Sequence, residues 1–78
     1  MFRVMRDDRE ESVFKHPLSA VSRALTQSME SAETFRVYVG DVVVCLARNG
    51  LLLAPDGSHE VTPTTAVRMA RGLAKDEP

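Results

Sequence analysis

Residues 34–57 read TFRVYVGDVVVCLARNGLLLAPDG, and how this stretch pairs with itself decides the fold. Gly40-Asp41 suits a two-residue type II′ hairpin turn with the glycine at positive φ, and Asn49-Gly50 suits a type I′ turn. Two such turns set a register in which Val39 opposes Val42, Val37 opposes Val44 and Phe35 opposes Leu46. In the second hairpin Arg48 opposes Leu51 and Leu46 opposes Leu53. Side chains alternate across a pleated strand, so a regular ladder sorts them into two faces. One face collects Phe35, Val37, Val39, Val42, Val44, Leu46, Leu51 and Leu53, which reads as core. The other collects Thr34, Arg36, Tyr38, Val43, Cys45, Ala47, Leu52 and Ala54, which is mixed but still largely apolar.

Helices flank the three strands. Pro17 suits the first position of a helix, where its missing N–H costs nothing. Leu18, Val21, Leu25, Met29 and Ala32 then recur at spacings of three and four, with Ala24 beside them, which predicts an amphipathic helix of about four turns. Pro55-Asp56-Gly57 closes the last strand with turn residues. Thr62 is the expected N-cap of a second helix, with Pro63 in its first turn and Val61 placed to staple onto Ala66. Ala66, Val67, Ala70, Leu73 and Ala74 form its apolar stripe. The expected fold is therefore α+β: helix, three-stranded antiparallel β-meander, helix, with both helices on one face of the sheet. Residues 1–12 are expected to be an extended or flexible segment, 13–75 a single domain and 76–78 a polar tail. Met1-Phe2-Arg3-Val4 echoes Thr34-Phe35-Arg36-Val37 too briefly to be a repeat.

A chain of 78 residues buries only about 60% of its unfolded surface, so its core is marginal without a staple or a partner. One cysteine forms no internal disulfide, and no Cys/His cluster suggests structural zinc. The single thiol and the lack of a secretory h-region lead to an expected cytoplasmic location. No apolar run approaches the ~20 residues that span a bilayer, so no membrane partner is expected. A net charge of −1 leaves no basic footprint for nucleic acid over the whole chain.

Chemistry is thin. His16 precedes a helix, and His59 lies between Ser58 and Glu60 in a turn-rich loop; adjacency alone does not supply the through-space geometry of a triad. Cys45 lies mid-strand with nothing nearby to lower its pKa. The four glycines are scattered over turn positions, not gathered in a phosphate loop, and Asp7-Asp8 and Glu10-Glu11 sit in a run of mixed charge. No catalytic residue, cofactor or metal is expected, and the chain is read as not an enzyme. Arg68, Arg71 and Lys75 follow one another at spacings of three and four, as a phosphate-contacting stripe would, although cations near a helix C-terminus also favour the macrodipole.

His16-Pro17 opening one helix, followed by the Val61–Leu73 stretch VTPTTAVRMARGL, resembles the two ends of repressor-like helix-turn-helix antitoxins over about a third of the chain. That resemblance implies DNA binding. The family has a helix pair in the middle, where this chain has Val42-Val43-Val44-Cys45 between two hairpin turns. The leading expectation is instead a small non-catalytic protein-binding module, homodimeric, acting as an inhibitor or adaptor of the kind mobile elements encode. Its expected partner-binding residues are Arg36, Tyr38, Val43, Leu52 and Ala54; Arg68, Arg71 and Lys75 belong to the DNA-binding alternative.

Overall fold

A computed structural model describes residues 1–7 and 9–75; the expected polar tail, 76–78, lies outside them, as does Asp8 of the Asp7-Asp8 pair. Strands β1 (Phe2–Arg6) and β2 (Arg9–Phe14) come first, then helix α1 (Pro17–Glu30). Strands β3 (Phe35–Val39), β4 (Val42–Arg48) and β5 (Leu51–Leu53) follow, and helix α2 (Pro63–Lys75) comes last. The strands form one five-stranded antiparallel sheet in the order β2-β1-β3-β4-β5. The fold is α+β, but the element order β-β-α-β-β-β-α replaces the expected helix, three-stranded meander, helix.

The difference lies in the N-terminus. Phe2 and Val4 alternate with Arg3 and Met5, so β1 has one apolar side, and it pairs with β3 as Phe2↔Val39 and Val4↔Val37. That pairing satisfies the backbone of β3 on its second edge and buries both Phe2 and Val4. Strand β2, rich in charge, takes the sheet edge, where charged side chains discourage pairing with other chains. Arg6 pairs with Arg9 across the connecting turn, where Asp7 has φ 53. A bulge skips Glu11, since Val4 opposes Ser12 and Met5 opposes Glu10. Arg6 Nε lies 2.6 Å from Glu11 Oε1 and 3.0 Å from Glu33 Oε2, close enough for ion pairing but off the hydrogen-bond direction.

A second bulge rearranges the stretch that decides the fold. Both turns form as their residues require: Gly40 has φ 58, and Asn49 and Gly50 have φ 53 and 79. Val39 opposes Val42 and Tyr38 opposes Val43, but Val37 opposes Cys45 and Phe35 opposes Ala47. Val44 is the extra residue. One inserted residue flips every later side chain of β4 to the other face. Cys45 and Ala47 therefore enter the core in place of Leu46, and Leu52, opposite Ala47, enters with them. Val44 itself is fully buried, because a bulge lets two successive side chains lean to one side.

Both helices pack on this inner face. Ala20, Val21 and Ala24 of α1 and Ala66, Val67 and Ala70 of α2 join Phe2, Val4, Phe35 and Val37 in one buried cluster. The buried stripe of α1 is rotated from the expected one: Leu18 is 57% exposed and Met29 70%, and Ala32 lies beyond the helix end. Small residues, Ala20, Ala24 and Ser28, let the helix approach the sheet closely and turn the longer side chains to the flanks. His16 occupies the N-cap position of α1 without a side-chain capping bond. Thr62 does cap α2, its Oγ1 accepting the Thr65 N–H at 3.1 Å.

Candidate functional site

The helix-free face of the sheet is where Arg36, Tyr38 and Val43 come together. β3 sends Arg36 and Tyr38 outward, and Val43, opposite Tyr38 and before the bulge, keeps the outward parity of a regular ladder. β1 adds Arg3 opposite Tyr38 and Met5 opposite Arg36, and β2 adds Val13 opposite Arg3. The Arg3 guanidinium lies 5.5 Å from the centroid of the Tyr38 ring and donates from Nη2 to the Gly40 carbonyl at 2.6 Å. The Arg3 cation is thus within cation–π range of the Tyr38 ring. All of Arg3, Met5, Arg36, Tyr38 and Val43 are half-buried, and Val13 is exposed.

Leu52 and Ala54, expected on this face, are not on offer there. Leu52 is 3% exposed inside the core and Ala54 is buried, the direct result of the bulge at Val44. In their place the face carries Leu46 and Leu53, paired across β4 and β5. Leu46 is itself covered: Gly57, at φ 76, brings its turn so close that a Cβ there would lie 3.5 Å from Leu46 Cδ1. The return segment is then pinned beside β5 by the Ala54 N–H to the His59 carbonyl at 2.8 Å and the Val61 N–H to the Leu52 carbonyl at 3.0 Å.

Arg3, Met5 and Val13 were not legible as site residues, because the mixed charge of residues 6–11 reads as solvated loop. The signal that finds them is the alternation of Phe2-Arg3-Val4 and its echo in Phe35-Arg36-Val37: both triplets lie on neighbouring strands with their arginines on one face.

Ser58 Oγ lies 2.9 Å from His59 Nδ1, but both are exposed. Asp56 accepts the Ser58 N–H at 2.9 Å instead of orienting the imidazole. Hydrogen bonds from Ser58, side chain first and backbone second, hold the Asp56 carboxyl below its usual range, which is the behaviour of a turn-forming Asx residue. Cys45 is buried, and desolvation pushes its thiol up to about 11, away from nucleophilic use. Among the described residues no group of three His, Cys, Asp or Glu is placed to hold a metal ion.

Arg68, Arg71 and Lys75 all line one cleft between α1 and α2, together with Leu18, Pro63 and Val67. The helix pair that the antitoxin resemblance implies for the middle of the chain is absent there, because residues 35–53 are strands. Among the described residues no helix is long and apolar enough to cross a membrane. The chain matches no protein-family model, no curated protein and no solved structure.

Proposed function

We propose that this chain is a non-catalytic protein-binding module, an inhibitor or adaptor that acts by covering a surface of a partner with its helix-free sheet face. The observation that supports this reading is the clustering of Met5, Arg36, Tyr38 and Val43 on a face that neither helix covers. Methionine, arginine and tyrosine are enriched in interface centres, and an apolar-centred patch of this kind on a small protein marks an interaction site.

Magnitudes favour a foreign partner over a second copy. Five strands at ~4.8 Å spacing, each about five residues long at ~3.3 Å, present roughly 400 Å². Two copies stacked face to face would bury roughly 800 Å², short of the ~1,200 Å² at which specific interfaces become stable. A partner that also grips the sheet edges passes that threshold.

The test is site-specific photocrosslinking in the native cell, with a photoreactive phenylalanine at Tyr38 and, as a control, at Thr26 on the exposed side of α1. A discrete adduct from position 38 alone, lost when Val43→Ser is added, is the expected result. Equal adducts from both positions, or none from 38, overturn the reading.

A further inference from the structure

We propose that the cleft between α1 and α2 receives an acidic amphipathic peptide of a partner protein, laid as a helix along α2. This site is distinct from the helix-free sheet face. The cleft measures about 550 Å³. Its lining joins the apolar Leu18, Pro63 and Val67 to the cationic Arg68, Arg71 and Lys75.

The charge pattern selects the occupant. Helix α2 contains three cations and no carboxylate between Pro63 and Lys75. The cations follow at +3 and +4, so they form one ridge spanning about 10 Å along the axis. A facing helix with carboxylates at i, i+3 or i+4, and i+7 matches that spacing and lays its apolar side on Leu18. Among the described residues, ion pairing engages only Arg6, so the three α2 cations have no internal carboxylate partner there. The helix macrodipole accounts for a cation at Lys75 in the last turn, but not for a leucine left 57% exposed beside the ridge. Nucleic acid is disfavoured on the same grounds. Three cations on a chain of net charge −1 neutralise few phosphates, and a phosphate backbone makes no use of an apolar wall.

The experiment selects a displayed library of random peptides, each about 16 residues or four to five helical turns, on the full chain. A selected peptide is then titrated by fluorescence anisotropy. Enriched sequences are expected to carry Asp and Glu with apolar residues at spacings of three and four. Arg68→Glu with Arg71→Glu is expected to weaken binding by roughly tenfold or more, and Leu18→Ser by several-fold. All three positions are exposed, and Arg68→Gln with Arg71→Gln repeats the test without charge reversal. Tyr38→Ala with Val43→Ser should bind the peptide as the parent does, so this site can fail or succeed independently of the sheet face. Selection without acidic enrichment, binding indifferent to the arginine variants, or tighter binding of a single-stranded oligothymidine overturns the proposal.

Discussion

The Ser28 hydroxyl accepts the Gly50 N–H at 3.0 Å and donates to the Leu25 carbonyl at 2.7 Å, tying the last turn of α1 to the β4–β5 hairpin. Ser28 is 1% exposed, so the Gly50 N–H is bound by a buried hydroxyl. Ala20, Ala24 and Ser28 line the buried side of α1 with Val21, while Leu18 and Met29 are exposed, so small residues bring the helix end close enough to the sheet for this bond.

Ser28→Ala removes that acceptor and leaves the Gly50 N–H without a partner, which costs about 1–3 kcal/mol. Urea denaturation reads the loss as a lower midpoint at unchanged slope. A change below about 0.5 kcal/mol would mean the tether adds nothing.

Gly50→Ala tests the same turn from the other side. At φ 79 an alanine is strained by about 1–2 kcal/mol, and its Cβ would stand 2.9 Å from Met29 Cγ. Met29 is long and 70% exposed, so its side chain can move aside. Nearly all the loss should therefore come from the backbone. A double-mutant cycle with Met29→Ala is expected to show coupling below about 0.5 kcal/mol.

The bulge at Val44 makes an ordering prediction. Leu52→Ala, in the core, should cost about 2–5 kcal/mol, and Leu53→Ala, half-buried on the helix-free face, clearly less. A ladder without the bulge would reverse the order.

Cys45 carries the pH signature of the same bulge. Burial raises its pKa from 9.0 to about 11 in the folded chain, so the folded state holds the proton more tightly than the unfolded state. The associated stability is fully present below pH 9 and is lost as pH rises towards about 11. The advantage of the parent over Cys45→Ala should shrink by about 2–3 kcal/mol across that window, at ~1.4 kcal/mol per pKa unit. In the native state at neutral pH the thiol should react with a thiol reagent only as fast as the chain opens.

Deletion of residues 1–14 removes two of the five strands, with Phe2 and Val4 from the core and the pairing on one edge of β3. The expected product shows no cooperative thermal transition by circular dichroism. A sigmoidal transition near that of the parent would mean the hairpin is dispensable.

Local chemistry was enough to read the turns and helix starts. Gly40, Asn49 and Gly50 are needed where φ is positive, Pro17 and Pro63 where a first-turn N–H is dispensable, and Thr62 where an N-cap oxygen is wanted. Part of the candidate site was legible for the same reason: Arg36, Tyr38 and Val43 lie close to the Gly40 turn, before any irregularity can flip them. Three features were decided only by tertiary structure. The parity of β4 beyond Val43 was open, because Val44, Cys45, Leu46 and Ala47 are apolar on both sides of the strand and no alternation penalises a bulge. The buried side of α1 was open because alanines next to a sheet outcompete a leucine–methionine stripe that would hold the helix off. The N-terminal hairpin was hidden because a charged edge strand looks like a solvated loop until Phe2 and Val4 find β3. Local conformational demands are written residue by residue, whereas the choice between two apolar faces depends on what packs against each.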